Sequence, residues 1–230
     1  MKTIGILGGM SWESSAQYYT LINRGVRDHR GGIASAPLLM HSFDFAEIAR
    51  LQAEDEWDQL GTMLGEAAAG LAQAGAEAIV IATNTMHLVA PQVEAVSGAS
   101  LIHIADPLGR ALHRAGHAKV GLLATRFTME QPFYAERLKT HGVEVIVPDE
   151  AARAQLHRII FDELCAGHIA DASRARMQAM IAELDSEGAT AIALACTEIM
   201  LLISQEDSPL PLFDTTALHC AAAVEFALSD

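Results

Sequence analysis

Two stretches of the chain, AIVIATNTMH at Ala78–His87 and AIALACTEIM at Ala191–Met200, share nearly the same residue pattern. Each begins with a short apolar run, which suits a buried strand, and then changes abruptly to a small polar cluster. Thr83 in the first stretch aligns with Cys196 in the second. The pattern predicts two strand-to-helix turns of the same kind, of which only one carries a thiol.

The rest of the chain repeats in the same way. Gly5 of TIGILGGM corresponds to Gly121 of KVGLLATR, and their separation is nearly the same as that of Thr83 and Cys196. A nearly constant offset indicates two duplicated halves, which we expect at residues 1–115 and 116–230. A C-terminal helix after Thr216 could cross back and pack on the first half.

Short β-branched and apolar runs alternate with longer segments of helical period, expected at residues 14–30, 54–74, 129–141 and 170–186. This alternation is typical of α/β structure. We predict two pseudo-symmetric domains, each a mostly parallel sheet with helices on both faces. A ligand is then expected in the inter-domain cleft, at the carboxyl ends of the strands. The predicted strands are KTIGILG, PLLMHSF, EAIVIAT and SLIHIAD in the first half, and KVGLLAT, VEVIVPD, TAIALAC and PLPLFDT in the second.

The composition is that of an ordinary globular chain, with 230 residues, 51% of them hydrophobic and 19% charged. A formal net charge of −14 and the absence of any basic run argue against a nucleic-acid partner. No apolar stretch is long enough for a signal sequence or a membrane span, so we expect a cytoplasmic protein with no membrane partner. Three cysteines without metal-ligand spacing predict neither a metal site nor disulfides.

The two polar clusters are the candidate chemical sites. Their backbone N–H groups, backed by the positive end of a helix dipole, would suit a carboxylate. The same field should leave Cys196 partly ionised at neutral pH. Cys165 and Cys220 lie in helical patterns and are expected to pack in the interior, whereas His87 fits a helix surface or a substrate-facing position equally well. The glycine spacing of GILGGM does not fit a dinucleotide-binding fingerprint.

TNTMH in the first half, ACTEI in the second and GILGGMSWES near the N-terminus resemble the aspartate/glutamate racemase family, over essentially the whole chain. The resemblance implies two pseudo-symmetric α/β domains, homodimers and a small amino acid or dicarboxylate substrate, with no pyridoxal phosphate, other cofactor or metal. It also implies two-base chemistry, in which one thiolate removes the α-proton and a thiol on the opposite face donates one. A subgroup with a Thr/Cys pair and a GGMSWES N-terminus is similar in detail and acts on Asp/Glu or on a broader set of amino acids.

The resemblance assigns roles to individual residues. Cys196 is the catalytic base, and Thr83 stands where other members carry the second cysteine. A hydroxyl cannot replace a thiolate as a base, because its pKa is far higher. The residues expected to bind substrate are Met10, Gln52, Asn84, Thr85 and Thr197, with Gln52 replacing by hydrogen bonding a basic residue found in relatives.

Two other functions remain open. An arylmalonate-type decarboxylase also uses a single cysteine, which protonates an enolate after loss of CO₂, although the polar run Thr83–Thr85 disfavours the apolar pocket that it needs. A non-catalytic amino-acid-binding protein would follow if the missing thiol had ended racemisation. Turnover and α-proton exchange distinguish the three.

Overall fold

The computed structural model describes residues 1–229, and the chain in it divides into two compact units. The first unit contains Met1–Ile104 together with the C-terminal segment from His219, and the second contains Ala105–Leu218. The sequence repeat predicts a division near residue 115. In the structure, the helix Ala105–Ala115 groups with the second unit, so that the chain leaves the first unit eleven residues earlier.

The first unit is built on a four-stranded parallel sheet with the order β2-β1-β3-β4. Its strands are β1 (Ile4–Gly8), β2 (Leu38–Ser42), β3 (Ala78–Ile81) and β4 (Ser100–Leu101). The run SLIHIAD pairs only through its first two residues, so the predicted fourth strand is shorter than its apolar pattern suggested.

Helices cover both faces of this sheet, as predicted. They are α1 (Trp12–Arg30), α2 (Phe45–Ala53), α3 (Trp57–Gln73), α4 (Ala90–Ser97) and α11 (Thr215–Leu228), the last of which begins in the second unit. Successive residues of β3 point to opposite faces: Ile79 and Ile81 join the core with α2 to α4, whereas Ala78 and Val80 join the core with α1 and α11. The near-continuous apolar run of β3 is therefore explained by burial on both sides.

The second unit has the same strand order, β6-β5-β7-β8, and all of its strand pairs are also parallel. This agreement confirms the α/β fold with two similar halves. The strands are β5 (Lys119–Ala124), β6 (Glu144–Ile146), β7 (Ala191–Ala195) and β8 (Leu212–Asp214). The helices are α5 (Ala105–Ala115), α6 (Arg126–Glu130), α7 (Pro132–Lys139), α8 (Glu150–Arg158), α9 (Asp171–Ser186) and α10 (Ile199–Leu202).

One predicted helix, over residues 129–141, is two helices in the structure. Gln131 has extended backbone angles, and Pro132 starts α7. A proline restrains the residue before it from helical angles but fits the first position of a helix, so it ends α6 and begins α7.

In each sheet the strand that comes first in the unit, β1 or β5, lies between the second and the third strand, so the strand order reverses there. The third strand, β3 or β7, is followed by one of the two repeated polar turns. Ligands of open α/β sheets bind at such a reversal, outside the carboxyl ends of the strands. In the first unit, β1 ends in the Gly8–Gly9 turn, where Gly9 has a φ of +82°. A Cβ at Gly9 would lie 2.2 Å from the carbonyl oxygen of Phe43, so only glycine fits.

Within residues 1–229, no helix is long and apolar enough to cross a membrane.

Candidate active site

The turn that follows β3, here called the Thr83 turn (residues 82–87), carries the first set of candidate residues. Thr83 is half-buried, whereas Asn84 and Thr85 are buried. Thr85 begins a five-residue 3₁₀ helix, Thr85–Val89, with Asn84 at its N-cap position, and α4 follows. The structure thus places three predicted site residues together, on one strand end.

Gln52 lies close to this turn, although it is far away in sequence. Its side chain is buried, and its amide Nε2 donates a hydrogen bond to the thioether sulfur of Met86 at 3.1 Å. A thioether is a weak hydrogen-bond acceptor, so the buried Gln52 amide is paired with a poor acceptor. Met10, at the end of β1, is also buried and belongs to the same apolar cluster as Met86.

The turn that follows β7, here called the Cys196 turn (residues 196–199), carries the second set. Cys196 and Thr197 are half-buried, and both donate hydrogen bonds to one oxygen of Glu198. The distances to Glu198 Oε2 are 3.0 Å from Cys196 Sγ and 2.7 Å from Thr197 Oγ1. The Glu198 side chain is 8% exposed, so the carboxylate sits against the thiol in a mostly dry environment.

These surroundings contradict the prediction that Cys196 is partly ionised. Burial, followed by the charge and the hydrogen bond of Glu198, raises the pKa of the Cys196 thiol well above its ordinary value. The helix dipole invoked from sequence is also small, because α10 has only four residues and Glu198 occupies its N-cap position. The thiol is therefore protonated at rest and already bonded to a proton acceptor.

Glu198 is a further candidate site residue, which the sequence pattern did not single out. The signal was present, because the glutamate follows the cysteine by two residues in ACTEIM and interrupts an otherwise apolar segment.

The other two cysteines differ from each other. Cys220 is buried in the core between β1, β3, α1 and α11, as expected of a packing residue. Cys165 lies in a short 3₁₀ helix, Leu164–Ala166, which packs on α10, and its thiol contributes to the raised pKa of Cys196. Cys165 therefore belongs to the surroundings of Cys196, which the sequence did not indicate.

His87 does not lie on a helix surface, which was one of the two positions expected for it. It is buried, with 1% of its surface exposed, and both of its ring nitrogens bond to the main chain. Nδ1 lies 2.9 Å from the carbonyl oxygen of Thr83, and Nε2 lies 3.2 Å from the amide nitrogen of Ile104. Both ring nitrogens of His87 are thus engaged by the main chain.

Comparison with known proteins relates this geometry to a family. The sequence pattern of the Asp/Glu/Hydantoin racemase family matches residues 7–223. The crystal structure of a candidate Asp/Glu racemase from Yersinia pestis shares 47% identity, covers 100% of both chains and superposes with a TM-score of 0.93. That of an aspartate racemase homologue from Pyrococcus horikoshii OT3 shares 32% identity, again over 100% of both chains, with a TM-score of 0.84. The broad specificity amino-acid racemase RacX of Bacillus subtilis (strain 168) is 25% identical over 75% of this chain and 74% of its own length.

Proposed function

Because this chain belongs to the Asp/Glu/Hydantoin racemase family, we propose that it is a cofactor-independent racemase of aspartate and glutamate, with a specificity that extends to other amino acids. The names of its relatives support both parts of this proposal, since two are described by Asp/Glu or aspartate racemisation and one by broad specificity. The homodimer and the cytoplasmic location stay predictions.

The observation that carries the proposed mechanism is the hydrogen bond from the Cys196 thiol to Glu198. Transfer of the thiol proton to the carboxylate produces a thiolate and a carboxylic acid in one step. The thiolate then takes the α-proton of the substrate and becomes a thiol again, while the electron pair of the broken C–H bond moves toward the substrate carboxylate. A substrate ammonium group nearby would lower the pKa of the thiol and make this first transfer easier.

We assign the opposite face of the α-carbon to Thr83, which delivers a proton either directly or from a water molecule that it holds. The proton left on Glu198 returns to solvent and Thr83, or the water that it holds, regains a proton from solvent, so the cycle restores every group. Without a cofactor to accept electrons, the carbanion depends on preorganised hydrogen-bond donors. Asn84, Thr85 and Thr197, which lie on the two turns, are proposed to supply them.

Gln52 and Met10 are proposed to contact the substrate beside the Thr83 turn. The contact of the Gln52 amide with a thioether supports this role, because a carboxylate oxygen is a much better acceptor than sulfur. Gln52 is neutral, so it can accept both acidic and uncharged substrate side chains. This supports a specificity broader than aspartate and glutamate.

One observation favours the decarboxylase alternative. A thiol that is protonated at rest suits an enzyme whose cysteine donates a proton to an enolate. The buried polar side chains of Asn84 and Thr85 oppose it, because that reaction needs an apolar pocket for the departing carboxylate. Release of CO₂ from an arylmalonate, without α-proton exchange on any amino acid, would support this alternative.

The test is proton exchange and racemisation by the purified protein without added cofactor. NMR in deuterium oxide should show loss of the α-proton signal of L-aspartate or L-glutamate, and circular dichroism should show racemisation. Cys196→Ser should lower both rates on the order of 10³-fold, since a positioned acid–base group contributes about that much. The matched control is Cys220→Ala, which removes a buried thiol from the core of the first unit and should retain normal rates per folded molecule. Exchange at a normal rate in Cys196→Ser would rule out this mechanism.

A further inference from the structure

His87 occupies a position that fixes its tautomer. The amide of Ile104 can only donate a hydrogen bond, so the ring nitrogen that faces it, Nε2, must be unprotonated. The carbonyl of Thr83 can only accept, so Nδ1 must carry the hydrogen. His87 is therefore a neutral imidazole that bridges the main chain of Thr83 to that of Ile104, seventeen residues beyond the histidine itself.

The rings around His87 are also histidines. His103 lies 4.6 Å away and His219 lies 5.7 Å away, measured between ring centroids. Nε2 of His219 donates to the carbonyl of Ile102 at 2.6 Å, and its Nδ1 accepts from the hydroxyl of Tyr18 at 2.8 Å. A protonated His87 would thus be buried among other imidazoles. Its Nε2–H would also face the N–H of Ile104, and two donors cannot form a hydrogen bond with each other.

The residues that His87 joins have distinct roles in the chain. Thr83 holds the position that corresponds to Cys196, and Ile104 is the last residue before the chain enters the second unit. The helix that follows Thr83 is too short to fix the turn, since Thr85–Val89 has five residues and the Asn84 side chain makes no capping hydrogen bond. The Thr83 carbonyl is instead held by the His87 ring, whose other nitrogen accepts a hydrogen bond from Ile104.

We propose that His87 is a positioning residue for the racemisation: its neutral Nδ1–H form holds the Thr83 carbonyl and thereby sets the backbone of Thr83, Asn84 and Thr85 in the reactive arrangement. This inference rests on the proposed function. A ring that only filled the core would not need both hydrogen bonds, and its replacement would affect folding without affecting the turnover of folded molecules.

Two substitutions separate the two hydrogen bonds. In His87→Asn, the amide reaches about as far as Nδ1 and can still donate to Thr83, but it loses Ile104. In His87→Gln, the longer side chain can accept from Ile104 but no longer donates to Thr83. We expect kcat per folded molecule to stay within about threefold of wild type in His87→Asn and to fall about 10- to 100-fold in His87→Gln, with little change in KM, because small misplacements of reacting groups are costly.

If His87 had only a structural role, kcat would not distinguish the two variants. Both would lose stability, and both would keep a normal kcat when corrected for the folded fraction. Equal kcat values in His87→Asn and His87→Gln would overturn the proposal. His29, at the exposed end of α1, supplies a control, because His29→Gln changes no contact of the Thr83 turn.

NMR provides a readout that does not depend on activity. Imidazole ¹⁵N spectra of the wild type should show His87 as the neutral Nδ1–H tautomer at pH 7, and the amide signals of Asn84 and Thr85 should shift more in His87→Gln than in His87→Asn. If the wild type racemises nothing, the proposed function fails while these spectra still decide whether His87 holds the turn. The Nε2–H tautomer, or equal amide shifts in the two variants, would refute the inference whatever the activity.

Discussion

The Thr83 turn and the Cys196 turn follow the corresponding third strands of two sheets with the same order, and yet their immediate surroundings are opposite in character. The Thr83 turn is held by a neutral imidazole that bonds only to main-chain groups. The Cys196 turn carries a buried carboxylate that accepts hydrogen bonds from both neighbouring side chains. The two turns occupy corresponding positions in the two halves. Side chains within a few residues of each turn give it a different chemical character.

The two turns are therefore suited to different steps of the proposed reaction. A thiol that donates a hydrogen bond to a carboxylate has an acceptor for its proton within reach. The Thr83 turn, which is held by an uncharged histidine, is proposed instead to hold a proton source in place. Substitutions confined to one turn test the role proposed for that turn alone.

The largest effect is expected for Glu198→Gln, which keeps the shape of the Cys196 turn but removes its charge. The pKa of Cys196 should fall, so alkylation of that thiol by iodoacetamide at pH 7 should accelerate about tenfold for each unit by which the pKa drops. Racemisation should nevertheless fall about 10²-fold, because the proton acceptor is lost. Site-resolved mass spectrometry and initial rates of racemisation measure the two effects.

The exposed glutamate Glu206, in the same unit, supplies the control, since Glu206→Gln should change neither rate. Faster alkylation together with faster racemisation in Glu198→Gln would mean that Glu198 only suppresses the thiolate. The proton-acceptor role would then be wrong.

The next effect concerns the Thr83 turn. We propose that Cys196 faces the α-hydrogen of the L-enantiomer and Thr83 that of the D-enantiomer. L-substrates should then exchange their α-proton with solvent faster than they racemise, because Thr83 is a poor acid and base. Thr83→Cys should raise racemisation about tenfold or more, with the larger gain for D-substrates. The enantiomers have equal free energies, so the difference appears in initial rates and not in the final mixture.

NMR of the α-proton, for both enantiomers and with Thr62→Cys as an exposed-thiol control in the first unit, measures this gain. Equal exchange of D- and L-substrates by the wild type would show that Thr83 is not the weak partner.

Much of this arrangement could be read from the sequence. The apolar runs that end at Thr83 and Cys196 predicted both turns, because burial on both faces of a parallel sheet leaves an uninterrupted hydrophobic signal. The state of Cys196 could not be predicted, since its pKa depends on where the Glu198 carboxylate points and on how dry the turn is. His87 was ambiguous for a similar reason: its partner Ile104 is distant in sequence, and no pattern links the two.

The smallest effect is expected on stability in acid, which tests whether the Thr83 turn is held by a neutral histidine. Burial, together with the neighbouring His103 and His219, lowers the pKa of His87 well below its ordinary value of 6.5. Below about pH 6.5 the unfolded chain therefore binds a proton that the folded chain does not, so the free energy of unfolding decreases as the pH falls. The loss is at most about 1.4 kcal/mol per pH unit from this group, and it stops below the folded-state pKa. His157, whose pKa is also lowered, mainly by burial, adds a slope of the same sign. Urea unfolding of the wild type and of His87→Gln at pH 7.5 and pH 5.5 isolates the contribution of His87, because the slope due to His157 is common to both proteins. The variant should be less stable at pH 7.5 and should lose less stability on acidification, and identical slopes in the two proteins would mean that His87 accepts a proton in the folded state.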